Sequence, residues 1–501
     1  MRPRSTVFGA VLLGALALPF SGGIALTPAA AVKSGAGAQI AAQLAATRLA
    51  PVQASEIRLA YRFSRPSTRF SYRLQAKRGG KWATLRTVAL KGHFKGVQIT
   101  TLGRVFGHTA VKAGSYRLRL GAEGKPVTLG FSVFAAKPVT DATSVSSGGT
   151  MTCILVSGGS VKCWGYNQDG ELGNASTKLS TTPVAVGGVQ GAIAVNSGYK
   201  HTCVVYPAGT VSCWGYNQVG ELGNGTQTNT FVPTAVSGLS GVATSSSGGA
   251  HTCAVLTSGA MYCWGDNEVG ELGTGAANQG LPFGISSPVQ VEQGTNIVGV
   301  SAGFVNTCVL IAGGSIDCWG YNHDGQVGDG TVTGIRPYAD PTPAHVIGIS
   351  NAVSISAGLF HTCALIAGGT VKCWGYIGAS DFAPVPLLNS TVPRQVPGIN
   401  DAISISSGGL HTCALLKGGT VKCWGANQYG QLGNGQFADS TKPVTVVGLK
   451  HVLSISSGAL HSCALLPGGR VKCWGGNDEG ELGTGTLTLS SVPLSVVQTT
   501  K

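Results

Sequence analysis

The sequence predicts an all-β chain, a seven-bladed β-propeller preceded by a small, basic, Ig-like β-sandwich, and three observations predict it. First, the pattern T/S-C-x9-C-W-G returns seven times in 501 residues, with successive first cysteines 50 or 55 residues apart. Second, each repeat holds short runs of Val, Ile, Leu, Thr and Cys bounded by Gly, Asn, Ser or Pro, such as Ala402–Ser407, His411–Leu416, Thr420–Gly425 and Lys442–Val447. Runs of this length read as strands, and a period near 50 built from strands reads as one propeller blade per repeat. Third, the segment ahead of the repeats alternates apolar and charged residues with period two, the mark of half-buried strands.

In chain order, Met1–Ala31 reads as a secretory signal, with Arg2 and Arg4, the apolar stretch Val7–Phe20 and an Ala29-Ala30-Ala31 cleavage site. That stretch is short for a membrane span and no other segment is long enough, so the expected location is secreted, periplasmic or cell-envelope. Residues 32–138 form the expected sandwich and carry 19 Lys+Arg against Glu56 and Glu123. Residues 139–501, the expected propeller, carry 13 Lys+Arg against 18 Asp+Glu, so the net charge of +14 belongs to the front segment.

The Ala-rich run Gln39–Leu49 reads as a short helix or a linker. After it, Ile57, Leu59, Tyr61 and Phe63 alternate with Arg58 and Arg62, and Phe70, Tyr72 and Leu74 alternate with Arg69 and Arg73. Tyr116, Leu118 and Leu120 alternate in the same way with Arg117 and Arg119. Six arginines on one sheet face make a candidate platform for an anionic envelope polymer; the competing reading is a plain solvated face. Nothing in the segment has the aromatic platform of a nucleic-acid module, which disfavours nucleic acid as a partner.

All fourteen cysteines fall in pairs ten residues apart. The pairs are Cys153 with Cys163, Cys203 with Cys213, Cys253 with Cys263, Cys308 with Cys318, Cys363 with Cys373, Cys413 with Cys423 and Cys463 with Cys473. In every repeat a Gly follows the first cysteine by six residues, from Gly159 to Gly469. A three-residue hairpin loop ending in a left-handed Gly sets such pairs directly opposite one another, so each is expected to close a disulfide within its blade. Export agrees with oxidised cysteines, and the spacing matches neither a zinc knuckle nor a CxxC redox site.

The frame S-G-x-x-H-T-C-A-L-x-x-G-G-x-V-K-C-W-G-x-N-x-x-G-E-L-G stands most fully at Ser407–Gly433 and Ser457–Gly483. It resembles the RCC1 (regulator of chromosome condensation) repeat, in the Cys-bearing form found in secreted bacterial proteins, over about residues 141–501. The resemblance implies a seven-bladed propeller, which agrees with seven C-x9-C-W-G hairpins and seven Pro-Val-type strands. The first hairpin has no Pro-Val strand before it and the last repeat ends in one, Val492–Val497. The C-terminal strand is therefore expected to pair into the first blade and close the ring.

Little in the repeats reads as chemistry. His201, His251, His361, His411 and His461 precede the first cysteine by two residues, where the other repeats have Met151 and Asn306. Two gaps in the ring favour a structural hydrogen bond within the blade over a metal role. The acidic turns at Asp169, Asp324 and Asp478 lack the D-x-D-x-D-G ladder of a calcium loop. In this frame Asn and Gly serve a tight turn, and Leu (or Val327) plugs the core. There is no G-x-S-x-G, P-loop or H-E-x-x-H motif, so no catalytic residue, metal or cofactor is assigned and a non-enzyme is expected.

The informative positions are those that vary while the frame stays fixed. On the face opposite the Gly hairpins stand the loop residues Tyr199-Lys200, Phe304-Val305, Leu359-Phe360, Leu410 and Leu460, with Tyr166, Tyr216, Tyr321 and Tyr376 after Trp-Gly. The deviating connectors of three neighbouring repeats add Phe283, Arg336, Tyr338 and Phe382. Tyr199, Phe283, Phe304, Arg336, Tyr338, Phe360 and Phe382 are accordingly the candidate residues for binding an extracellular or envelope protein. The family analogy sharpens this to inhibition of an extracellular enzyme, since its secreted relatives include a protein inhibitor of β-lactamases. The alternatives are an envelope-polymer-binding adhesion protein and a carbohydrate-active enzyme. The guanine-nucleotide-exchange activity that the family resemblance would imply is disfavoured by the secretory signal.

Overall fold

The computed structural model describes residues 40–44, 48–49, 58–78, 80–101, 114–121, 127–133, 136–278, 284–292, 296–334, 339–376 and 389–499. All regular elements among them are strands. They fall into two units, the first holding Arg58–Ala110 and Ser115–Phe131 and the second Ser132–Lys501.

In the first unit, strand Arg58–Arg78 pairs with Lys81–Thr101 along one edge and with Ile40–Leu44 and Gly114–Gly121 along the other. The sheet continues to Val127–Val133, whose end, Ser132 and Val133, pairs in parallel with Arg48–Leu49, these four residues being counted with the second unit. Tyr72, Leu74, Tyr116, Leu118 and Leu120 are buried and Arg73 is exposed, as period-two alternation predicts, while buried Gln75 between Leu74 and Ala76 breaks the pattern. Tyr72 faces Leu120 and Leu74 faces Leu118, which sets Arg73 directly across from Arg119. The side chains of Arg58, Arg62, Arg69 and Arg117 lie outside the described residues, as does much of the segment on which the sandwich expectation rests. The Ala-rich run is not helical: its described residues form Ile40–Leu44 and Arg48–Leu49, because the neighbouring strand offers a ladder that outweighs local helix propensity.

The second unit is seven four-stranded antiparallel sheets, each made from one contiguous stretch of chain. Blades 1 to 7 carry the seven cysteine pairs in order. Blade 1 is Ala142–Ser147, Met151–Val156, Val161–Gly165 and Ser180–Ala185, and blade 7 is Ser454–Ser457, His461–Leu466, Arg470–Gly475 and Ser490–Ser495. The first strands lie innermost and are knit around the axis by serines. The backbone N–H of Ser197 donates to Ser146 Oγ, that of Ser407 to Ser356 Oγ, and that of Ser147 to Ser456 Oγ, each at 2.8 Å. Small polar residues suit this position because wedge-shaped blades leave least room at the axis. The fourth strands are outermost, and every one carries a proline, from Pro183 in blade 1 to Pro493 in blade 7. Proline removes a donor from the open edge and so discourages pairing with another chain.

This arrangement corrects the expected closure. The Pro-Val strand after each hairpin belongs to that hairpin's own blade, so the last one completes blade 7 and none is left over for blade 1. Instead, Val497–Thr499 pairs with Ala136–Pro138, and Val139 N–H donates to Val496 O at 3.1 Å. The ends of the propeller meet in a two-stranded clasp beside blades 1 and 7.

Within each blade the hairpin geometry follows from the turn. In blade 1, Val156 N–H donates to Ser160 O across a three-residue loop, and Gly159 takes φ 76°. Cys153 then lies opposite Cys163. The same register places Cys203 opposite Cys213, Cys253 opposite Cys263 and Cys308 opposite Cys318 in blades 2 to 4. In blades 5 to 7 it places Cys363 opposite Cys373, Cys413 opposite Cys423 and Cys463 opposite Cys473. All seven pairs are disulfides, as the turn geometry predicts, with Cα atoms 4.1 Å apart and none of the fourteen cysteines free.

Between blades, among the described residues, the tryptophans of six repeats, all but Trp424, serve the neighbouring blade. Trp214 Nε1 donates to Glu171 O at 2.9 Å and Trp164 Nε1 to Glu481 O at 2.7 Å, each reaching the segment that joins the third and fourth strands of the preceding blade. That segment is folded by its Asn: Asn167 Oδ1 accepts from Leu172 N–H, while Nδ2 donates to Ser176 O and Lys178 O. Leu172 and its equivalents, Val327 included, are fully buried. The histidines also act between blades rather than within one, which corrects the sequence expectation. Nε2 of His201, His251, His361, His411 and His461 hydrogen-bonds the hydroxyl of Thr252, Thr307, Thr412, Ser462 and Thr152, always on the next blade. Asn306 reaches Thr362 in the same way. Thr252, Thr307 and Thr152 donate their hydroxyl hydrogens to Glu backbone carbonyls, so the ring Nε2–H is the donor to them.

Candidate functional site

The loops between first and second strands and the segments between third and fourth strands emerge at the same end of the propeller. At this end the residues after each first-strand glycine form a closed backbone belt. Tyr199 N–H donates to Gly248 O, Phe304 N–H to Gly358 O and Ala459 N–H to Gly148 O, so each loop leans on the next blade's. Gly149 and Gly249 are required here, since a Cβ on either would run into Tyr199 and Phe304 respectively.

The variable side chains of the belt lie in a crescent of half-buried aromatics. Tyr199 and Phe304 meet edge to face with ring centroids 5.1 Å apart, across the Gly249-Ala250 loop of blade 3. Phe360 lies 6.1 Å from Tyr321, which in turn lies 6.1 Å from His323. The Lys200 ammonium sits between two rings, 4.8 Å from the centroid of Tyr166 and 5.6 Å from that of Tyr216, and pairs with Asp169 at 3.4 Å. The structure thus brings Tyr199, Phe304 and Phe360 to one end, but Tyr199 and Phe304 spend part of their surface on each other. Phe283, Arg336, Tyr338 and Phe382 lie outside the described residues.

Electrostatics distinguish this end from the other, and the sequence reading overlooked it. The seven segments joining third and fourth strands hold thirteen Asp and Glu against Lys178 and Arg336, and the loops between first and second strands add Lys200. The opposite end, with the Gly hairpins and the connectors between blades, has Asp141, Glu292 and Asp401 against Lys417 and Lys450. Aligning the repeats position by position would have revealed this, because the acids recur at fixed offsets from Trp. The opposite end instead exposes apolar residues at the start of several first strands, among them Val298, Val353 and Ile403, which a β-bulge turns outward.

Some of the acids are structural. Glu171, Glu221, Glu271 and Glu481 are buried and accept the backbone N–H two residues earlier, bracing the tight turn. Burial raises Glu171 and Glu481 to about 7 and Glu221 to about 8. A carboxyl raised in this way contributes stability that is complete below its unfolded value and is lost as pH rises through its folded one. The buried histidines do the reverse: desolvation lowers His201 and His361 to about 4 and His251, His411 and His461 to about 3, so their contribution is lost in acid. The two sets leave the ring most stable between about pH 5 and 7. Gln326 and Gln431 hold the same position in blades 4 and 6. Glu221→Gln is therefore expected to melt like the parent at pH 5 and to gain about 3–5 kcal/mol at pH 9. Thermal melts at both pH values check this, and equal melting at pH 9 would remove the buried-charge account.

Among the described residues no group of three or more His, Cys, Asp or Glu is placed to hold a metal ion, and no helix is long and apolar enough to cross a membrane.

The repeat models agree with this geometry. Two models described as the regulator of chromosome condensation (RCC1) repeat match the chain, one at residues 158–205, 208–255 and 418–465. The other matches residues 142–171, 192–221, 245–271, 352–376, 402–431 and 452–481. The chain belongs to the RCC1 repeat family. Its RCC1 propeller is similar to yeast RCC1 (Prp20) in a crystal structure bound to Kap60, at 20% identity and TM-score 0.58, covering 71% of this chain and 85% of that one. A structure of Prp20p from Saccharomyces cerevisiae, described with its binding properties to Gsp1p and histones, matches at 19% identity and TM-score 0.57, covering 72% and 87%. Human WBSCR16 matches at 21% identity and TM-score 0.57, covering 68% and 89%. At these identities the likeness establishes the RCC1 propeller fold. Seven disulfides make this the cysteine-bearing form of the repeat, as suits an oxidising, extracellular setting.

Proposed function

We propose that this RCC1 propeller is an exported, non-enzymatic module that binds a macromolecular partner through the belt end. The observation that carries the reading is the separation of constant from variable residues. Disulfides, tryptophans, histidines and buried Glu/Gln repeat blade after blade and are used up in holding the ring. Tyr166, Tyr199, Tyr216, Phe304, Tyr321 and Phe360 vary between repeats, remain partly exposed and share one end. Large aromatics on a rigid rim are what protein interfaces use as anchors. The yeast relative bound to Kap60 supports the propeller as a protein-binding fold, while the partner of this chain is to be read from its own loops. Inhibition of an extracellular enzyme is the sharpest form of this function.

A second reading is favoured by the first unit, where Arg73 stands directly opposite Arg119. Like charges facing across a ladder are unfavourable alone, and an anionic envelope polymer would relieve them. The two readings separate in one capture experiment on secreted and envelope material. Its baits are the oxidised full chain, a double variant with Tyr321→Ala and Phe360→Ala, and a double variant with Arg73→Gln and Arg119→Gln. A discrete protein lost only with the aromatic variant supports the binding module. Retention governed only by the arginines would overturn it in favour of envelope attachment.

A further inference from the structure

Lys200 shows how this end of the molecule holds a cation, and the neighbouring junction repeats part of the arrangement around the same Tyr166 ring with no lysine of its own. At the junction of blades 1 and 2, the lysine lies between the Tyr166 and Tyr216 rings with Asp169 as counter-ion. Asp169 is itself steadied by Asn229 Nδ2, 3.0 Å from its other oxygen.

The junction of blades 7 and 1 has the same frame. Trp164 donates to Glu481 O as Trp214 does to Glu171 O, and Glu479 N–H donates to the Glu481 carboxylate as Asp169 N–H does to that of Glu171. Counting five residues from each tryptophan therefore puts Glu479 in the place of Asp169. Fifty residues earlier in the repeat, Thr150 stands in the place of Lys200, Tyr166 in that of Tyr216 and Leu179 in that of Asn229. Tyr166 N–H donates to Thr150 O as Tyr216 N–H does to Lys200 O, which confirms the equivalence.

Glu479 has thus lost both partners that Asp169 enjoys. No side chain among the described residues bonds its carboxylate, and exposed Asp478 beside it adds a second negative charge. Lys200, whose charge reaches Glu479 through space, is paired with Asp169 instead. Thr150 Oγ1 is buried without a hydrogen-bond partner. Leu179 is 39% exposed, in the place where the first junction has an amide. Glycine at 476, where the first junction has Tyr166, removes one ring and leaves more room.

We propose that the junction of blades 7 and 1 is a seat for one lysine or arginine side chain of a protein partner, with Glu479 as its counter-ion, the Tyr166 ring, which it shares with Lys200, as its cation–π face and Leu179 against its aliphatic stem. Acidic excess at this end of the propeller draws such a partner in and orients it. Ring and carboxylate together favour a cationic head over a neutral one, and a stem with several methylenes matches an exposed leucine. The inference rests on the belt end being the binding surface, and it names the chemistry that surface takes.

The test is fluorescence anisotropy at low salt with the oxidised full chain and a labelled peptide, Gly-Arg-Gly repeated four times, against the same peptide bearing citrulline. The arginine peptide is expected to bind at least tenfold more tightly than the citrulline one. Glu479→Gln should weaken it about fivefold to tenfold, while Asp401→Asn, the same charge change at the opposite end, should alter it less than twofold. Thr150→Lys supplies an internal lysine and should abolish the difference between the peptides. Lys200→Thr frees a second seat and should tighten binding. Melting temperatures of the oxidised variants confirm that each is folded. Equal losses from Glu479→Gln and Asp401→Asn, or parent-like binding by Thr150→Lys, would overturn the seat. If a protein captured through the aromatic residues is unaffected by Glu479→Gln, the seat falls and the binding function stands.

Discussion

The chain unfolded and reduced in guanidinium is expected to stay unfolded when diluted into native buffer with reductant, whereas the oxidised chain refolds. Each bridge, from Cys153–Cys163 to Cys463–Cys473, closes a short hairpin and contributes about 2–3 kcal/mol by restricting the unfolded chain. Seven such terms, even with incomplete additivity, are comparable to the whole stability of an ordinary domain, about 5–15 kcal/mol. A cysteine pair belongs to each core cluster, packed with Val, Ala and Leu side chains and a neighbouring blade's tryptophan, so losing the bridge loosens the core of each blade as well. All fourteen cysteines are buried, Cys373 most exposed at 4%, so the folded protein should in contrast resist reductant. Far-ultraviolet circular dichroism and tryptophan fluorescence follow both experiments. A reduced chain that regained the native melting profile would show that packing alone suffices.

Trp164→Ala is expected to cost about 3–5 kcal/mol, and Trp424→Ala distinctly less. Trp164 is fully buried at the closing junction of the ring, where its indole nitrogen donates to Glu481 O and its ring packs with Leu465, Leu482 and Val496. Removing it opens a cavity and leaves Glu481 O with Thr152 Oγ1 as its remaining donor where the first and last blades meet. Trp424, alone of the seven, is only partly buried. Its equivalent partner would come from blade 5, whose segment after Trp374 has lost the N-x-x-G-x-L-G frame. Guanidinium midpoints of the two oxidised variants make the comparison. Equal losses would mean that the indole's seat in the preceding blade carries no energetic weight.

How much of this was legible beforehand follows from the range of each interaction. The cysteine pairing was legible because a three-residue turn with Gly159 and its equivalents sets the register over ten residues, whatever the surroundings. The alternation around Tyr72, Leu74, Leu118 and Leu120 was legible for the same reason. The partner of each histidine was not, since His201 and Thr252 are 51 residues apart and meet only when blades stack. The crowding of Tyr199 on Phe304 was also hidden, because the intervening loop is small only at Gly249-Ala250.

By itself, then, the sequence determined the strands, the hairpins, the seven disulfides and the number of blades, all of which depend on contacts within one repeat. Tertiary structure alone decided that the last Pro-Val strand completes its own blade, and that the clasp of Val497–Thr499 with Ala136–Pro138 joins the ends. It also decided that Thr152 and Glu481, 329 residues apart, lie at one junction. Which residues surround Glu479 is a property of the closed ring, because ring closure brings together residues that no local rule of pairing or turn geometry relates.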